Sequence, residues 1–374
     1  MKIVADDKIP FLKGVLEPYC DEVLYLPGSK TRPEDVQNAD AIITRTRTKC
    51  NASLLDESSV KFVATATIGF DHFDTSYLDA KDIKWTNAPG CNSSSVAQYI
   101  ASTLLNLACD HKMSLAGKTL GIVGVGNVGS KVAAVGLALG MNVLLNDPPR
   151  AARESAEQFV SLERILNEAD FITLHVPLED EGIYKTFHLA DEVFLSKMKP
   201  SAFLINSSRG EVCDNQALKK ALKARQIKGA VLDVWENEPE LDLELLELVN
   251  YGTPHIAGYS YDGKANGTAM SVNALCKFFN LELKDWYPAD VPVPEKTSVK
   301  IPADGSSEDK LLAAVSVSYN VKDDWQRLKL SPGTFEKQRG DYPLRREFPV
   351  FEAESADPEV SKALRLLGFK IKSK

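Results

Sequence analysis

Three ionisable side chains stand where strand-like apolar runs end. Arg209 follows Leu204-Ile205-Asn206-Ser207-Ser208 and precedes Gly210. Asp233 closes Gly229-Ala230-Val231-Leu232, with Glu236 and Glu238 in the loop beyond. His255 lies in Tyr251-Gly252-Thr253-Pro254-His255-Ile256-Ala257-Gly258, between a turn signal and a glycine. A guanidinium can grip a carboxylate through two parallel hydrogen bonds and polarise the adjoining carbonyl. A carboxylate beside an imidazole favours the imidazolium and so helps it take a proton. Taken singly, each is more often a surface arginine, a solvated acid or a structural histidine. Set in loops around one nucleotide fold, they can hold a 2-hydroxy acid by its carboxylate and move its hydroxyl proton. The C2 hydride then faces a nicotinamide.

The element that must position them is the stretch Thr119-Leu120-Gly121-Ile122-Val123-Gly124-Val125-Gly126-Asn127-Val128-Gly129. An apolar run meets three glycines at the spacing G-x-G-x-x-G, and a helical pattern through Val132, Val135, Leu137 and Leu139 follows. Gly124 allows the tight turn, Gly126 lets the backbone approach a pyrophosphate, and Gly129 lets the helix pack on the strand. The helix N-terminus offers free N–H groups to the phosphates. A second strand ends in Asp147, eighteen residues after the last glycine. A carboxylate there can accept from a ribose 2′-hydroxyl and would repel a 2′-phosphate, which favours NAD over NADP. Arg150, three residues further, pulls the other way.

The 374 residues are 44% hydrophobic, enough for two or three domains with large cores. A net charge of −8 without a long basic run argues against nucleic acid or an anionic membrane as a partner. No apolar run reaches the ~18 residues of a membrane span. The six cysteines are scattered, with no C-x-x-C pair, and read as reduced thiols with no metal site. With no targeting segment in view, a cytoplasmic protein is expected.

Residues 1–90 alternate strands (2–5, 23–26, 41–44, 62–67, 84–87) with helices such as 33–39, which implies a parallel sheet. Polar residues follow two of these strands: Arg45-Thr46-Arg47-Thr48 and Thr65-Ala66-Thr67. Ligands gather at the carboxyl ends of strands in such sheets, and arginines and hydroxyls there can bind an anion. A long helix over 93–110 suits a crossover between two lobes. Beyond the glycine-rich unit come strands at 171–176, 202–207 and 229–234, with a helix at 215–227. A helix is expected at 263–280 and a proline-rich linker at 286–302. The last segment reads as helix 308–319, strand 348–351, helix 358–367 and strand 369–371. The expected fold class is α/β: two doubly wound parallel-sheet lobes, flavodoxin-like in the substrate lobe and Rossmann in the NAD lobe. A small C-terminal α/β domain completes it. The expected domains are 1–92 with 263–285, 93–262, and 286–374.

Asn206-Ser207-Ser208-Arg209-Gly210, Leu232-Asp233-Val234-Trp235-Glu236-Asn237-Glu238-Pro239 and Thr253-Pro254-His255-Ile256-Ala257-Gly258 resemble, in this order, the signatures of the D-2-hydroxyacid dehydrogenase family. Ala64-Thr65-Ala66-Thr67-Ile68-Gly69, Asp147-Pro148-Pro149-Arg150 and Gly258-Tyr259 are similar to a branch acting on a small phosphorylated hydroxy acid, as is the C-terminal segment around Tyr342 and Arg345-Arg346-Glu347. The resemblance implies Arg209, Glu238 and His255 as the catalytic set. It places Thr46, Thr67 and Tyr259 on the substrate. NAD would be held by Gly124, Gly126, Asn127, Val128 and Gly129 and contacted by Asp147, Val176, Asp233 and Gly258. That last set includes a position that is often Thr in the branch; Val176 has no hydroxyl and can offer only its backbone. Arg45 and Arg47, or Arg345 and Arg346 from a second subunit, would meet the phosphate. A homodimer through the C-terminal domain and lobe closure by hinges near Ser93 and Tyr259 are further implications. A related dehydrogenase for 3-phosphoglycerate and a non-enzymatic NAD-sensing protein are the competing readings.

Overall fold

Alternation of short apolar strands with helices leaves every strand covered on both faces, and the chain resolves this in two compact units. The structure, a computed structural model, describes residues 1–154 and 156–372. One unit comprises Met1–Asn92 and Ser260–Pro292; the other comprises Ser93–Tyr259 and Val293–Lys374.

The first unit is built on β1 (Lys2–Asp6), β2 (Glu22–Leu26), β3 (Ala41–Thr44), β4 (Phe62–Thr65) and β5 (Lys84–Thr86). All pair in parallel, in the spatial order β2-β1-β3-β4-β5. This is the flavodoxin-like order, whose ligand crevice opens beyond the carboxyl ends of the first and third strands. The Tyr261–Phe278 helix packs on this sheet, with Val272, Leu275 and Cys276 in the same core as Ile3, Ile43 and Phe62. The helix expected at 33–39 is only Pro33–Val36.

The second unit carries β6 (Thr119–Val123), β7 (Asn142–Asn146), β8 (Phe171–Leu174), β9 (Phe203–Asn206), β10 (Gly229–Leu232) and β11 (Tyr251–Gly252). Their order is β11-β10-β9-β8-β6-β7, again all parallel, so the chain reverses its winding between β6 and β8. The Asn127–Ala138 helix buries Val132 and Val135, while Leu137, expected on the same face, is 64% exposed. Two residues beyond Val135, it stands about 200° round the helix from that face. The Ser93–Asp110 helix lies almost wholly in the core, with Tyr99, Ile100, Leu104 and Leu107 all fully buried.

Described residues of the C-terminal segment share a core with the nucleotide-binding sheet. Ile301, Leu311, Val315, Phe348, Phe351, Leu364 and Phe369 join the cluster that holds Tyr99, Leu104, Ile122 and Val132. A small parallel sheet of β12 (Ser298–Lys300), β13 (Glu352–Glu354) and β14 (Lys370–Ile371) lies here. The strand expected at 348–351 is instead a short 3-10 turn, Phe348–Val350. Pro349 lacks the N–H a ladder needs, so pairing begins beyond it. A strand also sits inside the stretch read as linker, and the Val321–Leu330 and Phe335–Gly340 helices were not anticipated. Among the described residues no helix is long and apolar enough to cross a membrane, and no group of His, Cys, Asp or Glu could hold a metal ion.

Candidate active site

Residues Asn206, Leu232 and Gly252 are in register at the carboxyl ends of the adjacent strands β9, β10 and β11. Arg209, Asp233 and His255 therefore emerge side by side. Asp233, 1% exposed, is the template for the turn that carries His255. Its backbone carbonyl accepts from the His255 N–H at 2.7 Å. Its carboxylate accepts from the Thr253 hydroxyl at 2.6 Å and from the backbone N–H groups of Ile256 and Ala257 at 2.8 and 2.9 Å. Burial pushes the Asp233 carboxyl above its ordinary pKa, while His255 and these donors favour the charged form. The anchoring holds His255 at φ +55, a left-handed conformation uncommon for a residue with a Cβ.

Two acids compete for His255 in the sequence, and the structure separates them. His255 Nδ1 and Glu238 Oε2 are 2.8 Å apart, while Glu238 Oε1 accepts the Trp235 N–H at 2.9 Å. Glu236 turns away: it accepts from the Asn215 N–H at 2.9 Å and lies 2.7 Å from His188 Nε2. The loop with Arg209 is pressed on this one through Gly210, where a Cβ would stand 2.0 Å from the Trp235 carbonyl oxygen. The half-buried Arg209 donates to the Ser208 carbonyl at 2.9 Å through one guanidinium nitrogen. Gly258 and Tyr259 follow directly; the Tyr259 ring meets Tyr342 edge to face at 5.7 Å.

The nucleotide end of the unit fits a dinucleotide. Gly124 has φ +86, and a Cβ there would lie 2.5 Å from the His175 carbonyl oxygen and 2.8 Å from Val176 Cγ1. At Gly129 a Cβ would come within 2.0 Å of the Gly124 carbonyl oxygen. At Gly126 it would meet nothing within 4 Å, so the backbone there is open to a phosphate. Asn127 and Val128 open the helix at that point. Asp147 holds the loop, accepting from the Val125 and Arg150 N–H groups at 2.9 and 3.0 Å. Arg150, the residue that left room for NADP, is committed elsewhere. It forms two bonds to Glu154 at 2.9 and 2.6 Å, donates to the Val125 carbonyl and lies over Phe159.

In the other unit, Thr46 and Arg47 are exposed just beyond β3. Arg45 donates to the Lys8 carbonyl at 3.2 Å. Thr67 lies 2.7 Å from the Thr65 hydroxyl and donates to the Gly69 carbonyl at 2.9 Å. Lys264 was not anticipated; burial and then Arg45 lower its pKa, which places two cations together.

Arg345, expected as a phosphate ligand from a second subunit, is buried within its own chain. It is 3% exposed and donates to Gln98 Oε1 at 2.8 Å and to the carbonyls of Ser95 and Ile256 at 2.5 and 3.2 Å, with Tyr319 beneath it at 3.8 Å. Three of its five N–H donors tie the C-terminal segment to its own chain. Arg346, beside it, accepts from Gln98 through its carbonyl at 2.9 Å. Arg339 was missed, because a single arginine in a charged helical stretch reads as surface. It proves to lie over Tyr259 at 5.8 Å.

Residues 101–257 match the NAD-binding domain of the D-isomer-specific 2-hydroxyacid dehydrogenases, and 291–368 match a domain of unknown function, DUF3410. The erythronate-4-phosphate dehydrogenase of Bacteroides fragilis is 54% identical over 93% of this chain and 97% of its own length. That of Proteus mirabilis is 41% identical over 99% of each. The D-lactate dehydrogenase of Aquifex aeolicus, solved with NAD and lactic acid, is 29% identical, with a TM-score of 0.62 over 75% of this chain and 96% of that one. With relatives this similar along nearly the whole chain, it belongs to the erythronate-4-phosphate dehydrogenases, a family of D-isomer-specific 2-hydroxyacid dehydrogenases.

Proposed function

We propose that the chain oxidises 4-phospho-D-erythronate at C2 to (R)-3-hydroxy-2-oxo-4-phosphooxybutanoate, with NAD, in pyridoxal phosphate biosynthesis. The observation that carries this is the His255–Glu238 pair at 2.8 Å, set beside the Arg209 loop. A carboxylate can only accept, so Glu238 keeps the proton on Nδ1 and leaves Nε2 as the base. His255 takes the C2 hydroxyl proton through Nε2. Glu238 stabilises the imidazolium that forms. Arg209 grips the C1 carboxylate and polarises the oxygen at C2. NAD, when bound, supplies the hydride acceptor.

Gly124, Gly126, Asn127, Val128 and Gly129 are the proposed pyrophosphate loop, and Asp147 the ribose acceptor. Val176 and Gly258 line the cofactor through their backbones. Asp233 keeps one acceptor position beyond the three its turn uses, and this is assigned to the nicotinamide amide. Thr46, Thr67 and Tyr259 are assigned to the substrate, with Arg45, Arg47 and Arg346 as proposed cations. We further propose a homodimer and a cytoplasmic location.

The test is NADH formation with 4-phospho-D-erythronate beside 3-phospho-D-glycerate and D-lactate. A strong preference for the first is expected, in a burst or in steady state. Activity on 3-phospho-D-glycerate alone would keep the chemistry and overturn the substrate. No NADH with any of them would favour an NAD-sensing protein.

A further inference from the structure

The substrate proposed above has two anionic ends, and Arg209 accounts for one. A second guanidinium reaches the same unit from the Phe335–Gly340 helix, which Phe335, 1% exposed, anchors in the core. The Arg339 guanidinium lies 5.8 Å from the ring centroids of both Tyr259 and Phe335. The side chain is only 23% exposed, and its Nε is buried without a hydrogen-bond partner among the described residues. A buried N–H of a charged group left in that state is costly, and an incoming acceptor would remove the cost. Glu336, 3.2 Å away, is 47% exposed; a pair so open to water is weak and easily exchanged. Burial opposes the charge on Arg339, but Tyr259, Glu336, Glu238 and Asp233 all favour it, so it shares the electrostatic surroundings of the catalytic pair.

We infer that Arg339 is a substrate-binding residue, supplied by the C-terminal segment of the same chain, and that it takes the phosphate end. This rests on the function proposed above. A guanidinium matches a phosphate through two parallel N–H donors, and its Nε is one of the edges that can make such a fork. The C-terminal segment then has a part in the reaction, besides packing on the nucleotide-binding sheet.

The test uses the full-length protein with NAD, as wild type and Arg339→Gln. Each is measured with 4-phospho-D-erythronate and with D-erythronate, which lacks only the phosphate. The variant is expected to lose on the order of 10²-fold in kcat/KM on the phosphorylated substrate. The loss should fall on KM, with D-erythronate handled equally by both proteins. Where D-erythronate turns over too slowly, its inhibition constant against the phosphorylated substrate gives the same comparison. Equal losses on both compounds, or none on either, overturn the inference; the second result would favour Arg45 and Lys264 as phosphate ligands. If Arg339→Gln does not fold, Arg339→Lys replaces it, with a selective loss of roughly 10-fold expected because an ammonium cannot form the fork. A wild type inert toward 4-phospho-D-erythronate would overturn the proposed function itself, an outcome distinct from all of these.

Discussion

At the scale of single residues, the site depends on one turn held in a conformation that its sequence does not favour. His255 is kept at φ +55 by four hydrogen bonds that converge on Asp233. Its imidazole is then aimed by Glu238. Replacing His255 by Ala should lower kcat/KM by about 10²–10⁴-fold, the usual contribution of a positioned general base. Steady-state NADH formation checks this, and undiminished turnover would remove His255 from the mechanism. Asp233→Ala should act on stability as well as on NAD binding. Two buried N–H groups and one hydroxyl would lose their acceptor, for a cost of about 3 kcal/mol or more in denaturant unfolding. Arg209 and Asp233 were legible as candidates because they follow apolar runs, and His255 because it stands between a turn signal and a glycine. The choice between Glu236 and Glu238 came from resemblance alone. Spacing could not make it, because both lie in one irregular loop and only the fold turns Glu236 toward His188.

At the scale of elements, the glycines divide by what surrounds them. Gly129 is a packing glycine, Gly126 an open one. Gly129→Ala should shift the Asn127–Ala138 helix off β6 and destabilise the unit by about 1–3 kcal/mol. Gly126→Ala, with φ −77 and free space around it, should leave unfolding unchanged within about 0.5 kcal/mol. Its added methyl should nevertheless weaken NAD binding where the backbone meets phosphate. Thermal unfolding and NAD titration of the two variants separate the roles. Both parallel sheets could be read from the alternation of strand and helix, because buried parallel strands leave unbroken apolar runs such as Ala41-Ile42-Ile43. Of the C-terminal strands only β14 was legible, within Phe369-Lys370-Ile371; β12 and β13 were not. In β13, Glu352-Ala353-Glu354, only Ala353 is buried, and β12 is short and exposed at both ends. These strands exist because they pair with each other, a long-range cause that no local pattern records.

At the scale of the whole molecule, each unit holds a histidine that burial keeps neutral. In the first, burial pushes the His72 pKa down to about 4, with Asp71 opposing weakly; in the second, burial pushes His175 down to about 3. The unfolded chain takes up these protons near pH 6.5, whereas the folded units refuse them until pH 4 and 3. Stability from this source is therefore complete above about pH 6.5 and falls as the pH drops toward 4 and below. His72→Gln and His175→Gln should each flatten the pH dependence of unfolding between pH 6.5 and 4 for the unit that carries it. Residues 286–374 read as a domain apart, because a proline-rich stretch opens them. Their apolar side chains nonetheless complete the core around the Ser93–Asp110 helix, and Arg345 seals the junction.

The central claim is that the groups at the ends of β9, β10 and β11 take the hydroxyl proton of the same carbinol whose C2 hydride passes to NAD. The most direct measurement is a single turnover with 4-phospho-D-erythronate carrying deuterium at C2, followed by mass analysis of the NADH formed. Wild-type protein should give singly deuterated NADH, and His255→Ala should give the same product far more slowly. NADH without deuterium, or no NADH at all from the wild type, would contradict the account.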